Sequence, residues 1–310
     1  PAELVDTRNR RQMWGERYDR AARDVQTLEG ELAQQIATSL RLQFPDGKRA
    51  AYTRNLSAYE AYLKGRYFWN KRTPAAFKTS IAWFRQAIDK DPSFALAYAG
   101  LADSYSLLTE YHELPATETY GEAKRAILKA LEIDPDLPEA RVSLAYIRQF
   151  YEWDFPAAER EYRRALASNP NYATGHQWYA EYLAAMGRHD EAIAEIRQAL
   201  AVDPLSLIVN AVEANILYMG GEYDQAIAKA HEITAMDPNF PEVYEYLKRS
   251  YDQKEQYREA IIARQMRRKL LGRDTRETPA LAEAAGTTSA DVYWHKRIEE
   301  EVEGSRDEGF

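Results

Sequence analysis

The chain has 310 residues, a length that suits two ordinary domains or one array of stacked repeats. Its hydrophobic content of 45% is enough for a continuous core. It carries 41 basic and 49 acidic residues, and the net charge of −8 argues against a general nucleic-acid binder, since such proteins present a basic face. It has no cysteine, which excludes disulfides and thiolate metal sites but leaves the cellular compartment open.

The start of the chain shows no targeting signal. Charged residues follow Pro1 at once, and no apolar run approaches the roughly 20 residues that a membrane-spanning helix needs. We therefore expect a piece of a longer protein, with no signal peptide or membrane segment in this piece. The localisation stays unknown, cytoplasmic or periplasmic, because it depends on what lies upstream.

The first 50 residues predict a short β-hairpin followed by a helix. Residues 4–7 and 12–18 read as two strands around a polar turn, with Trp14 and Tyr18 on one face. From Asp24 to Leu42 apolar residues recur at steps of three and four, the spacing of an amphipathic helix. An isolated hairpin is marginal in water, so these strands should pack on that helix or on a missing part of the protein.

The stretch over 4–42, LVDTRNRRQMWGERYDRAARDVQTLEGELAQQIATSLRL, resembles the end of a known domain. It is similar to the closing hairpin and helix of the domain that resembles the amino-terminal domain of TolB. In some large bacterial regulators that domain precedes tetratricopeptide repeats, and some of these carry a serine/threonine kinase or a winged-helix DNA-binding domain upstream. The resemblance implies that residues 1–50 are the remnant of such a domain.

A closing proline returns at a fixed interval in the middle of the chain. Asn169-Pro170, Asp203-Pro204 and Asp237-Pro238 follow one another at a spacing of 34 residues. This period is that of tetratricopeptide repeats, each of which is a helix–turn–helix unit. The family pattern W-x2-L-G-x2-Y is matched best by Tyr98-x2-Leu101-Ala102-x2-Tyr105.

The resemblance to this repeat family implies an all-α fold, a right-handed superhelix of about six repeats. The solenoid is predicted over 51–272, with repeats at 55–92, 93–135, 136–170, 171–204, 205–238 and 239–272. Extra residues in the second repeat fall in 109–117, and such insertions map to loops. Small residues recur where the two helices of a pair should come closest, at Ala102, Ala145, Ala180 and Ala214.

The sixth repeat departs from the pattern. Arg264 stands where an apolar residue is expected, and Gly272 replaces the closing proline. Terminal repeats need a polar outer face, so we expect a capping element here, followed by helices at 279–285 and 289–302 within a capping region over 273–310. The basic cluster over 264–273 could contact nucleic acid or an acidic partner, but a solvated capping helix is favoured because the whole chain is acidic.

No motif in the sequence points to catalysis, a metal or a cofactor. The sequence contains no Gly-rich phosphate loop, no H-E-x-x-H, no G-x-S-x-G and no kinase signature. The five histidines lack metal-ligand spacing, so we expect each to be structural or on the surface: His112, His176, His189, His231 and His295. We therefore predict no catalytic residue, no metal site and no cofactor.

Tetratricopeptide repeats line their concave surface with the first helix of each pair. Counting along these helices from the matched motif predicts a strip of aromatic and polar side chains suited to a peptide. Its predicted members are Tyr62, Arg66, Asp103, Tyr146, Phe150, Trp178, Glu181, Asn215, Tyr218, Tyr246 and Arg249. Some of these rings could instead pack between repeats.

Three functions follow as hypotheses. The first is a non-catalytic protein–protein interaction module that binds a peptide or protein in the groove, as the sensor or scaffold part of a larger bacterial signalling or transcriptional regulator. The second is homo-oligomerisation, a homodimer through the strands of residues 1–20, because exposed strand edges template pairing. The third, an enzyme hidden in the solenoid, would need a pocket of convergent polar groups with shifted pKa values. No nucleic acid is expected to bind this fragment.

Overall fold

A computed structural model describes residues 2–6, 11–16, 53–110, 115–272, 281, 286 and 290–307. Two short strands, β1 (Ala2–Asp6) and β2 (Arg11–Glu16), pair antiparallel. All other regular structure in the described residues is α-helical, in agreement with the predicted all-α fold. The predicted helix over 24–42 lies outside the described residues. The remnant domain over 1–50 and the homodimer through residues 1–20 therefore stay predictions.

Thirteen helices are present in the part of the chain that the structure describes. They are α1 (Leu56–Asn70), α2 (Pro74–Lys90), α3 (Ala95–Glu110), α4 (Ala116–Ile133), α5 (Pro138–Phe150), α6 (Phe155–Ser168), α7 (Ala173–Ala185), α8 (His189–Val202), α9 (Leu207–Met219), α10 (Tyr223–Met236), α11 (Pro241–Gln253), α12 (Tyr257–Leu270) and α13 (Ala290–Asp307). From α1 to α12 each odd-numbered helix packs against the next helix, which gives the helix pairs that the sequence predicts.

The chain forms two compact units, Pro1–Ser168 and Asn169–Phe310, each of which contains three helix pairs. Within each unit the first helices of the pairs lie side by side, since α3 contacts α1 and α5, and α9 contacts α7 and α11. We call the surface that these first helices share in each unit its first-helix face. The continuous right-handed superhelix of about six repeats stays a prediction.

Small residues allow the helices of the first two pairs to approach closely. The ring of Phe84 on α2 is fully buried between Gly65 on α1 and Gly100 on α3. A Cβ atom would lie 2.6 Å from this ring at Gly65 and 2.5 Å from it at Gly100, so any larger residue would force the helices apart. The predicted small residues of the later motifs are also fully buried: Ala102, Ala145, Ala180 and Ala214.

One hydrogen bond recurs in four consecutive repeats. A side chain in the first turn of each first helix donates to the carbonyl oxygen of the proline six residues earlier. The donors are Arg141 to Pro135, His176 to Pro170 at 2.9 Å, Asn210 to Pro204 at 3.1 Å, and Tyr244 to Pro238 at 2.7 Å. A backbone carbonyl that is shielded from water needs a hydrogen-bond donor. These four chemically different side chains each supply that donor to the proline carbonyl.

In the part of the chain that the structure describes, the turn between the two helices contains a residue in the left-handed region in five helix pairs. Glycine occupies this position in two pairs, Gly187 with φ 74° and Gly221 with φ 82°. Larger residues occupy it in three others: Arg72 with φ 52°, Trp153 with φ 57° and Glu255 with φ 58°. Left-handed backbone costs an L-residue about 1–2 kcal/mol, so these three turns are strained relative to the glycine turns.

Two details of the repeats differ from the sequence prediction. The insertion over 109–117 was expected in a loop, but α3 runs through Glu110 and α4 begins at Ala116, so part of it lengthens these helices. In the third repeat the sequence predicts an inter-helix turn at Trp153-Asp154-Phe155-Pro156, but Phe155 and Pro156 begin α6. Asp154 caps this helix by accepting a hydrogen bond of 3.0 Å from the backbone N–H of Ala157, and proline suits a first helical turn.

Helix α13 packs on the last helix pair through a buried polar cluster. Its Tyr293 is 1% exposed and donates a hydrogen bond of 3.0 Å to Oδ1 of Asp252 on α11. Arg297 forms a buried ion pair with the second oxygen of the same carboxylate. Burial, together with the charge of Asp252, raises the pKa of Tyr293, so its hydroxyl stays protonated as a donor. The predicted helix over 279–285 lies outside the described residues except for Leu281.

Candidate interaction surface

Six of the predicted groove residues occupy one equivalent position, directly after the small residue of the motif or its counterpart. They are Arg66, Asp103 and Tyr146 in the unit before residue 169, and Glu181, Asn215 and Arg249 in the unit after it. We call these the row residues. Because the first helices of each unit lie side by side, each set of three crosses its own first-helix face.

In the unit ending at Ser168 the row centres on a buried carboxylate. Asp103 is 2% exposed and accepts a hydrogen bond of 2.5 Å from Ser143 on α5, while Arg66 on α1 lies 3.5 Å from its other oxygen. Burial raises the pKa of Asp103 to about 6, although Arg66 and Ser143 both lower it. Burial also raises the pKa of the neighbouring Glu139. Asp103 therefore joins three helices, and little of its surface is open to a ligand.

The predicted aromatic residues of this unit differ in exposure. The half-buried ring of Tyr62 packs against Phe84 and Phe94, with centroid distances of 5.7 and 5.2 Å. Tyr146 is buried, and its ring lies 4.5 Å from that of Phe150, which is 48% exposed. Among the predicted groove residues of this unit, Phe150 therefore presents the most open aromatic surface.

The row of the second unit is more accessible. Glu181, Asn215 and Arg249 are all partly exposed. The guanidinium of Arg249 donates to Oδ1 of Asn215 at 3.4 Å and lies 4.4 Å above the ring of Tyr218. Glu181 accepts a hydrogen bond of 3.4 Å from Gln177, one turn earlier on α7. An acid, an amide and a guanidinium therefore follow one another across three neighbouring helices.

The remaining two predicted residues of this unit are less open than expected from their positions. Trp178 is only 3% exposed, so its indole has little surface to offer. Tyr246 is half-buried and packs against the apolar cluster that α9, α10 and α11 share with α12. The full set of predicted groove residues stays a prediction, but the geometry concentrates accessible polar groups on Glu181, Asn215 and Arg249.

A family model described as "Tetratricopeptide repeat" matches residues 151–216. The matched stretch holds α6, the α7/α8 pair and most of α9, and α7 packs against α8 as the sequence pattern predicts. The chain carries tetratricopeptide repeats. Such repeats are in general scaffolds that present an extended binding surface to other proteins.

Two curated relatives are transcriptional regulators. The chain is 23% identical over 151 residues to Transcriptional regulator HilA of Salmonella paratyphi A, which covers 49% of this chain and 27% of HilA. The HilA protein of Salmonella typhimurium is 22% identical over 151 residues, with the same coverage. The chain therefore matches well under half the length of these relatives.

Solved structures share the fold. The human IFIT1 dimer with PPP-AAAA is 19% identical with a TM-score of 0.55, and the match covers 80% of this chain and 56% of that one. PilW, a widely conserved type IV pilus biogenesis factor, is 22% identical with a TM-score of 0.49, over 64% of this chain and 91% of that one. At 19% identity the likeness to the IFIT1 structure shows a shared fold and nothing about ligands.

The repeats also place charged residues on this face that the sequence prediction missed. Glu245 on α11 pairs with Lys248 at 2.7 Å and with Arg267 at 3.6 Å. Burial alone would raise the pKa of Glu245, but these two cations outweigh it and hold the pKa below its ordinary value. Glu245 lies four residues before the row residue Arg249, so helical periodicity could have found it.

No metal or membrane signature accompanies the repeats. Among the residues that the structure describes, no group of three or more His, Asp or Glu side chains is arranged to hold a metal ion. Within the same ranges every helix is too short or too polar to cross a bilayer.

Proposed function

We propose that this chain is a non-catalytic interaction module that holds a peptide or protein segment on its first-helix face. It would serve as the sensor or scaffold part of a larger bacterial signalling or transcriptional regulator. The observation that carries the proposal is the accessible row of Glu181, Asn215 and Arg249 across three neighbouring helices. The carboxylate of Glu181 accepts hydrogen bonds, the amide of Asn215 both donates and accepts them, and the guanidinium of Arg249 donates them.

The chemistry of this row suits an extended peptide backbone. A peptide presents one donor and one acceptor at each residue, and the amide of Asn215 can both donate and accept. Arg249 is already oriented by Asn215 and by the ring of Tyr218, so less side-chain entropy is lost when it binds. Tyr218 adds apolar surface beside these polar groups, as rings do in protein interfaces.

The proposed setting in a regulator rests on two resemblances. The two curated relatives are transcriptional regulators, although the match covers only 27% of their length. The resemblance of residues 4–42 to the end of a TolB-like domain points to the same class of multidomain bacterial protein. The bond-making chemistry of a kinase would then lie in another domain, while this chain selects the partner.

A peptide array probed with the purified chain would test the proposal. Peptides that bind should lose at least about tenfold in affinity when Asn215→Ala or Arg249→Ala is introduced. The control is Arg197→Ala, an exposed residue on the second helix α8, which should bind as the unchanged chain does. Thermal melts monitor the fold of each variant. The absence of any binding peptide, or equal affinities in all three variants, would contradict the proposal.

A further inference from the structure

We propose that the outer face of α12 is a second docking surface, which takes an acidic amphipathic helix of a partner protein. Four residues form this surface, and we call them the α12 stripe: Arg258, Ile262, Met266 and Lys269. At about 100° per residue they fall within an arc about 80° wide. All four are exposed, and Ile262 leaves 66% of its surface in solvent.

The two preceding repeats of the same unit show what this position ordinarily holds. Moving back by one and two repeats of 34 residues gives the corresponding stripes of α10 and α8, and all of their residues are exposed. They are Asp224, Ala228, Glu232 and Ala235 on α10, and Asp190, Ala194, Gln198 and Ala201 on α8. Where those helices carry alanine with acidic or amide side chains, α12 carries two large apolar residues between two cations.

Helix stability and solubility do not explain this exchange. Isoleucine is β-branched and forms helices less readily than alanine, and exposing it forgoes the free energy of apolar burial. At these two positions alanine or lysine would favour a solvent-exposed capping helix at least as well as isoleucine and methionine do. Ile262 and Met266 therefore form an exposed apolar pair that helix propensity does not favour, and its burial against a partner would recover the free energy that exposure forgoes.

The charge of α12 indicates the charge of the partner that would bury these two residues. This helix contains five basic residues and one acidic residue, in a chain whose net charge is −8. The basic cluster divides in space, since Arg267 turns toward Glu245 on α11, at 3.6 Å, while Lys269 is exposed on the stripe. Arg258 and Lys269 are 11 residues apart, about 16 Å along the helix axis.

A partner helix fits this arrangement better than a nucleic acid or a membrane. It would place two apolar residues against Ile262 and Met266 and a carboxylate near each of Arg258 and Lys269. A phosphate backbone would leave both apolar side chains in water, and it is repelled by the net acidic chain. Two apolar residues also supply too little area to hold an acidic protein on an anionic bilayer.

The test uses a synthetic helical peptide in which two leucines one turn apart are flanked by glutamates, labelled for fluorescence anisotropy with the full chain. The double variant Ile262→Ser with Met266→Ser should bind at least about tenfold more weakly. The matched control is Ala228→Ser on α10, which should bind like the unchanged chain. Arg258→Glu should also weaken binding, and a peptide with the facing glutamate replaced by lysine should restore it.

Single-stranded oligothymidylate and vesicles of phosphatidylcholine with phosphatidylserine are measured in parallel. Binding of either one without binding of the acidic peptide would overturn the proposal. Failure to bind any of the three probes would overturn it as well. Because the stripe is exposed, all variants should melt as the unchanged chain does. Peptides held on the first-helix face should be unaffected, which separates this surface from the proposed function.

Discussion

Nδ1 of His176 lies 2.6 Å from Oε2 of Glu195, and Nε2 of the same ring lies 2.9 Å from the carbonyl oxygen of Pro170. Both neighbours accept hydrogen bonds, so the arrangement favours an imidazolium with a proton on each nitrogen. Burial acts to lower the pKa of His176, but the contacts with Glu195 and Pro170 outweigh it and raise the pKa above 6.5. One repeat earlier, Arg141 makes the same pair of contacts, with Pro135 and Glu161.

The first prediction concerns the pH dependence of this pair. His176→Asn copies Asn210, which holds the equivalent proline carbonyl one repeat later. Because folding raises the pKa of His176, its contribution to the free energy of unfolding is complete below the unfolded pKa and is lost as pH rises through the folded value. Urea unfolding between about pH 6 and pH 9 should show the stability advantage of the unchanged chain over the variant shrinking. An advantage that stayed constant or grew would contradict this.

The second prediction concerns Asp103, whose pKa is raised to about 6 by burial. When folding raises the pKa of a carboxyl group, the free energy of unfolding falls as pH rises, because burial disfavours the charged form of the group. Relative to Asp103→Asn, the unchanged chain should lose on the order of 2 kcal/mol of unfolding free energy between about pH 4 and pH 7. Urea titrations of both proteins across this range measure the unfolding free energy of the unchanged chain minus that of the variant. An increase in this quantity with pH would contradict the prediction.

The third prediction concerns the glycine contacts of Phe84. Gly100→Ala should destabilise the chain by about 1–3 kcal/mol, because the new methyl group meets a buried ring. Gly121→Ala is the matched control, since a Cβ there meets nothing within 4 Å, and alanine should stabilise α4 by about 0.5–1 kcal/mol. Thermal melts of both variants decide the matter. A shift in the same direction for both would show that Phe84 does not set the helix spacing.

The fourth prediction uses the left-handed turns. Gly221 and Glu255 hold equivalent turn positions in neighbouring repeats, with φ 82° and φ 58°. Gly221→Ala should lower the unfolding free energy by about 1 kcal/mol, and Glu255→Gly should raise it by up to about 1 kcal/mol, because only glycine adopts this region without strain. Chemical denaturation of the two variants should therefore move the unfolding midpoint in opposite directions.

The helix pairs could be predicted from the sequence because their signal is periodic. Each repeat buries the same few positions, so the closing prolines and the small residues return at fixed spacing. The hydrogen bonds to the proline carbonyls could not be predicted in this way, since Arg141, His176, Asn210 and Tyr244 share a position and no common chemistry. Geometry, which a residue pattern does not record, makes them equivalent.

The accessible part of the surface was harder to predict than the helices. Periodicity identifies the stripe of a helix that a side chain occupies, but not what the neighbouring helix places over it. Ser143 from α5 and Arg66 from α1 contact the carboxylate of Asp103. This residue, predicted to contact a ligand, therefore links three helices instead. At Asn215 the neighbouring Arg249 leaves the side chain partly exposed.

Site-specific labelling tests the central claim, that a ligand lies on the first-helix face. The chain has no cysteine, so Glu181→Cys and Gln198→Cys each create a single thiol, on the first helix α7 and on the outer side of α8. Maleimide labelling is followed with and without a peptide selected from the array, at a peptide concentration that saturates each cysteine variant. We predict that the bound peptide slows labelling at position 181 and leaves position 198 unchanged. Equal labelling rates at position 181 with and without peptide, or protection of position 198 alone, would contradict the account.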